Sequence, residues 1–162
     1  MRRLRRRLGS ERGTALAEFA LVLPLLLLIL MGIIFFGRYL SYANDETQLA
    51  SSAARWAAIN ANPGSGSQTL QQYVAQQASP ELSNGSSNVT PVKVYIYYPT
   101  GSTGSVGQPV RACVTNSVSF IPLLGVSNTR IVQTATMSVE NAPGSSAAWT
   151  PDTAIPSQCP TN

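Results

Sequence analysis

At 162 residues the chain has room for one small domain and little beyond it, and it contains no histidine, the commonest general base and metal ligand. Charged residues make up only 11%, and six of the eleven basic ones crowd the first twelve positions: Arg2, Arg3, Arg5, Arg6, Arg7 and Arg12. Past Gly13, five basic residues face six acids, so the +4 net charge belongs to the N-terminal end and no basic face is left for nucleic acid.

The basic leader, 1–13, abuts a long apolar segment. From Phe19 to Phe36 every residue is apolar, Gly or Pro. With the residues before it the segment runs from 14 to 37, about 36 Å of helix, against a hydrocarbon core of about 30 Å. It is expected to span a membrane once, with Pro24 a tolerated bend. A cleaved signal peptide cut near Ala43 is the competing reading, but secretory apolar regions are shorter than this one and the segment is followed by Arg38. Arg-rich flanks stay cytoplasmic, which sends the C-terminal part out of the cytoplasm.

Residues 38–62 continue the helix. There is no Gly or Pro from Arg38 to Ala61, and "TQLASSAARWAAINA" is rich in Ala. Leu49, Ala53, Trp56 and Asn60 share one helical face, with Ala50, Ala54, Ala57 and Ala61 beside them. Asn62-Pro63-Gly64 is expected to stop it.

Residues 63–140 form an α+β head. "QTLQQYVAQQA", 68–78, predicts a short helix with Leu70, Tyr73, Val74 and Gln77 on its apolar face, ending at Pro80; "SNGSSN", 83–88, reads as loop. The period then changes to two. In "PVKVYIYYP" Val92, Val94, Ile96 and Tyr98 alternate with Lys93, Tyr95 and Tyr97. "TGSTGSVGQ" is a turn, and "PVRACVTNSVSFIP" is a strand with Val110, Ala112 and Val114 on one face, continuing through Val118 and Phe120. After the turn "LLGVSNT", "RIVQTATMSVE" points Ile131, Ala135, Met137 and Val139 inward and Thr134, Thr136, Ser138 and Glu140 outward. Three or four antiparallel strands packed on the amphipathic part of the long helix complete the head. The tail, 141–162, with four prolines, reads as irregular.

Cys113 and Cys159 are the two cysteines. Outside the cytoplasm they can pair, closing a loop of about 47 residues worth about 4 kcal/mol in the chain-entropy model; two unrelated thiols are the other reading. The acids past Gly13 are scattered, and neither a phosphate-binding loop nor a nucleophile elbow is present, so no catalysis, metal or cofactor is expected.

Glu18 is the one charge within the 14–37 segment, and its spacing from Gly13 is what stands out. Gly13 closes the basic leader, Thr14-Ala15-Leu16-Ala17 follows, then Glu18 and Phe19, then the apolar run. This arrangement resembles type IV pilin-like precursors, and "RGTALAEFALVLPLLLLILMGIIFFGR" is similar to the TadE-like family, minor pseudopilins of tight adherence (Tad/Flp) pili. "LASSAARWAA" and "TATMSVE" resemble it more loosely. The resemblance implies a pilin-like α+β fold and a prepilin peptidase cutting between Gly13 and Thr14. It implies assembly contacts at Glu18 and Phe19, with Glu18 meeting the amino terminus of a neighbouring subunit. The implied partners are membrane lipid, Flp-type pilin, companion minor pseudopilins and the inner-membrane assembly platform, with the head on the periplasmic side. Two plainer roles stand beside this for Glu18: a first-turn acid favouring the helix dipole, or a carboxylate snorkelling to the interface. The runner-up for the whole chain is an unprocessed, membrane-anchored extracytoplasmic binding module.

Overall fold

A computed structural model describes residues 4–119, 128–142 and 147–161, with side chains from residue 13 onward. It divides into two compact units, Met1–Tyr39 and Leu40–Asn162. Helix α1, Leu4–Ala58, supplies the described structure of the first unit and the opening element of the second. The other elements are α2 (Leu70–Gln76), α3 (Pro80–Asn84), β1 (Lys93–Tyr97), β2 (Pro109–Val118) and β3 (Thr129–Ser138). This is the expected α+β arrangement of a long N-terminal helix and a small antiparallel sheet.

In the first unit α1 is apolar and bare. Leu16, Phe19, Leu21, Leu25 and the apolar residues on to Phe36 are exposed or half-exposed, and none of an 18-residue apolar window in the helix is buried. The helix is long and apolar enough to cross a membrane. So much exposed apolar surface demands a cover of lipid or protein.

In the second unit, α1 buries Tyr42, Glu46, Leu49, Ala50, Ala53, Ala54, Ala57 and Ala58. The stripe lies to one side of the face expected from sequence, because Trp56 and Asn60 are only half-buried and Glu46 sits among the alanines and Leu49. The helix also stops earlier than Asn62. Asn60 adopts φ 51°, Asn60 N–H donates to the Ala57 carbonyl at 3.1 Å and Ala61 N–H to the Trp56 carbonyl at 3.0 Å. That is a Schellman ending with Asn in the left-handed position usually given to Gly. Further hydrogen bonds to the C-terminal carbonyls come from the far end of the chain. Trp149 Nε1 donates to Ala57 at 3.2 Å, and the Glu140 and Asn141 N–H groups donate to Ala58 at 2.8 and 3.1 Å.

Helix α2 starts where Thr69 closes a capping box with Gln72. It buries Leu70 and Val74, while Gln77, expected on that face, is its exposed C-cap. Pro80 does not merely stop it: as the first residue of α3 it opens a short helix over part of the segment read as loop, its missing N–H being one no helix needs.

The sheet order is β1-β2-β3, both pairings antiparallel, with Lys93 opposite Thr115 and Thr115 opposite Val132. Val94, Ile96, Val110, Ala112, Val114, Val118 and Ile131 form the buried inner face. Met137, expected inward, is 37% exposed, because β3 is an edge strand and its end lies beside the partly open side of Trp56 and Arg55. Phe120 and most of "LLGVSNT" lie outside the described residues.

The outer face is covered as well, which alternation alone does not reveal. Tyr97, Cys113 and Cys159 are buried together there, with Tyr95, Val132 and Ile155 packed around them. The described part of the tail reaches this face as irregular chain and is held at several points. Cys113 and Cys159 are joined in a disulfide. Tyr97 Oη and Arg111 Nη1 both donate to the Pro160 carbonyl at 2.6 Å. Asp152 closes the free edge of β1, its Oδ2 accepting from Ile96 N–H at 2.8 Å and its own N–H donating back to the Ile96 carbonyl at 2.8 Å.

Candidate functional site

Gly13, Thr14, Glu18 and Phe19 all lie on α1 in the first unit, and all four are exposed, Phe19 by 57%. From Gly13 to Glu18 the helix rises about 7.5 Å. A Cβ placed on Gly13 would meet no atom within 4 Å, so its surroundings are open. The helix runs through the Gly13–Thr14 bond without a break. A protease needs an extended substrate, so this turn must unwind before it can be cut. Gly is the cheapest residue here to unwind, at about 1 kcal/mol less helix-favouring than Ala.

The course of α1 also bears on the plainer roles for Glu18. The helix begins at Leu4, so Glu18 lies well inside it and cannot serve as a first-turn acid while the leader is attached. Cut after Gly13, the same carboxylate becomes the fifth residue of the chain, in the opening turns. Its electrostatic surroundings would then be set by a new α-amino group about 6 Å of helix rise away.

These positions coincide with a match to a known family. Over residues 13–55 the chain is similar to the TadE-like protein family. The match is to the TadE-like protein family model; it begins at Gly13, leaves out the arginine-rich leader, and runs through Glu18, the apolar segment and the buried stripe as far as Arg55. It stops before β3, so the looser likeness of "TATMSVE" lies outside it. No curated protein and no solved structure matches the chain.

The same segment contains two further carboxylates, Asp45 and Glu46, of which Glu46 is the unusual one. Glu46 is fully buried, and neither of its oxygens has a hydrogen-bond partner among the described residues. Burial, with the neighbouring charge of Asp45 second, pushes its pKa from 4.5 up to about 8. Its neighbour differs: Asp45 Oδ2 accepts from the N–H of Ser79, the N-cap of α3, at 3.1 Å, tying α1 to the short helices. The available signal was spacing. Tyr42, Glu46, Leu49 and Ala53 follow i, i+4, i+7, i+11, which puts Glu46 on the apolar stripe, but anchoring that stripe on Trp56 and Asn60 hides it.

Proposed function

We propose that the chain is a minor pseudopilin or assembly factor of a Tad-type pilus, matured by a prepilin peptidase and acting through subunit contacts in the membrane rather than by catalysis. The TadE-like segment associates it with Tad pilus assembly. The observation that carries the finer reading is the spacing of Gly13, Glu18 and the apolar run, which falls at the start of that segment.

The peptidase would cut between Gly13 and Thr14 at the cytoplasmic face, removing the six leader arginines. The mature chain would begin Thr14-Ala15-Leu16-Ala17-Glu18-Phe19. Its new ammonium group and the Glu18 carboxylate are each costly near hydrocarbon when alone. Pairing Glu18 with the amino terminus of a neighbouring subunit would offset both costs and fix the stagger between helices, because an unpaired charge at that depth is penalised. Phe19, beside Glu18, would pack against the same neighbour. The arginine-rich leader supports an orientation with the N-terminus in the cytoplasm of a bacterium and the head outside its inner membrane.

N-terminal sequencing of the protein co-expressed with its prepilin peptidase is expected to read Thr14-Ala15-Leu16. An intact Met1 would support an unprocessed anchor, and a start at Asn44 a secreted domain; either overturns the reading. Gly13→Leu is expected to abolish the gel shift of about thirteen residues that cleavage produces, since a bulky side chain obstructs the extended peptide a protease needs. Glu18→Ala is expected to insert and to be cleaved normally, yet to be lost from pili or to abolish them. Normal piliation in that strain would refute the assembly role of Glu18 while leaving cleavage standing.

A further inference from the structure

The outer face of the sheet carries a pocket of about 290 Å³ with Lys93 of β1 and Arg130 of β3 in its lining. The strand register places Lys93 opposite Thr115, and Ser117 opposite Arg130. The two cations therefore stand on either side of β2 with two hydroxyl-bearing residues between them. Two strand spacings across the sheet and two residues along it, about 12 Å in all, is a separation that two long side chains can close around one anion. Neither side chain is hydrogen-bonded or ion-paired to any described residue, in contrast to Arg111, which is held by Pro160 and Thr136. Among the described residues no carboxylate lines the pocket, although acids outnumber bases in the chain beyond Gly13. Two of that region's five cations thus converge unopposed on one concavity.

The remaining lining narrows the ligand. Tyr95 and Val132 form an apolar part of the floor, and Pro156 of the tail walls one side. The disulfide at Cys159 holds that wall in place. A bare inorganic anion would satisfy the cations and leave the ring of Tyr95 uncovered. An apolar ligand would strip water from two charges without replacing it. A sugar ring meets both demands, presenting C–H groups to an aromatic side chain, hydroxyls to Thr115 and Ser117, and an acid group to the cation pair. The volume is at the lower end for ligand pockets and suits a single ring.

We propose that the pocket between Lys93 and Arg130 binds a carboxylate-bearing sugar unit. The binding is independent of how the N-terminus is processed, so it stands or falls separately from cleavage at Gly13.

The test is titration of the full-length protein in detergent micelles with sodium glucuronate, glucose and inorganic phosphate at matched ionic strength, read by calorimetry and ligand-observed NMR. Saturable glucuronate binding is expected, at least about tenfold tighter than glucose or phosphate. Lys93→Gln and Arg130→Gln should each weaken it by about tenfold or more, whereas Arg55→Gln, a cation elsewhere on the same unit, should not. Both substituted side chains are exposed, and unchanged tryptophan emission will report an intact head. The charge-conserving Lys93→Arg and Arg130→Lys provide a second pair, expected to retain most of the affinity. Equal binding of glucose shows that the cations play no part, and equal binding of phosphate shows an inorganic-anion site only. Either result overturns the proposal, as does the absence of saturable glucuronate binding or indifference to both glutamine substitutions.

Discussion

Replacing Glu46 with glutamine is expected to leave the head's stability nearly unchanged at pH 4 and to raise it at pH 7. The folded-state pKa is pushed from 4.5 up to about 8, by burial first and by Asp45 second. Below pH 4.5 the carboxyl is neutral in folded and unfolded chains alike, and its stability contribution is fully present. Between about 4.5 and 8 the unfolded chain gives up the proton while the folded chain keeps it, so stability falls as pH rises. Above about 8 both forms are charged and the loss levels off. Integrated to pH 7, the penalty is at most about 3 kcal/mol. Relaxation around the charged form reduces the expected gain of the glutamine variant to about 1–2 kcal/mol. Glu46→Leu should gain more, because it also removes two oxygens that find no partner. The measurement is denaturant unfolding of the full chain in detergent at pH 4, 6 and 8, followed through Trp56 and Trp149, the chain's two tryptophans, both in the second unit. A wild-type stability that is flat from pH 5 to pH 8, or a glutamine variant that runs parallel to it, would remove the buried carboxylate from the account.

Glu46 also shows where a sequence of this kind stops being legible. The apolar run, the strand alternation of Val92, Val94 and Ile96 and the turn glycines could be read directly, because each is a local pattern enforced by lipid, by the pleat or by backbone geometry. Gly101, Gly104 and Gly107 do adopt positive φ, and at Gly104 a Cβ would lie 2.6 Å from the Tyr98 ring. Alternation places Tyr97 on the open face of its strand, whereas the group that covers it arrives from the tail, a contact that periodicity cannot encode. Met137 lies on the helix-facing side as alternation expects, yet stays 37% exposed, because alternation carries no information about which strand is at the edge. Pro80 was read as a stop because the same residue both ends one helix and opens the next. The candidate site divides in the same way. The spacing from Gly13 to Glu18 is visible in the sequence, whereas the unbroken helix through the Gly13–Thr14 bond, and the early helix start that takes Glu18 out of the first turn, are visible only in the structure. The pocket between Lys93 and Arg130 was beyond reach, since it depends on the register of three strands and on a tail held by the disulfide.

That tail sets the second large expectation. Breaking the Cys113–Cys159 link, by reductant or by the double change Cys113→Ala and Cys159→Ala, is expected to destabilise the head by about 4 kcal/mol in the chain-entropy model, for a sequence separation of 46. For a unit of this size that corresponds to a fall in Tm of roughly 15 °C. The effect should extend beyond entropy, because the bridge sits in the middle of a cluster with Tyr97, Tyr95, Val132 and Ile155 rather than at its margin. Downstream of it, the Pro160 carbonyl accepts from Tyr97 and Arg111, and the Thr161 carbonyl accepts from Thr100 at 2.9 Å. Upstream, Asp152 closes the edge of β1 and receives a further hydrogen bond from Gln71 of α2 at 3.1 Å. Releasing Cys159 lets water compete for the Pro160 and Thr161 contacts first, since they have no other covalent restraint. The edge contacts of Asp152 are expected to outlast them. Limited proteolysis should then show new cuts after Ile155 in the reduced protein before any cut in β1–β3, and reductant should slow migration on a non-reducing gel. The reduced wild type, which keeps both sulfurs, separates the crosslink from the loss of buried sulfur in the alanine chain. If the reduced wild type melts with the oxidised form while only the substituted chains fall, packing rather than the bridge holds the tail. If neither reductant nor substitution changes Tm, mobility or the cleavage pattern, the tail is held by its hydrogen bonds alone.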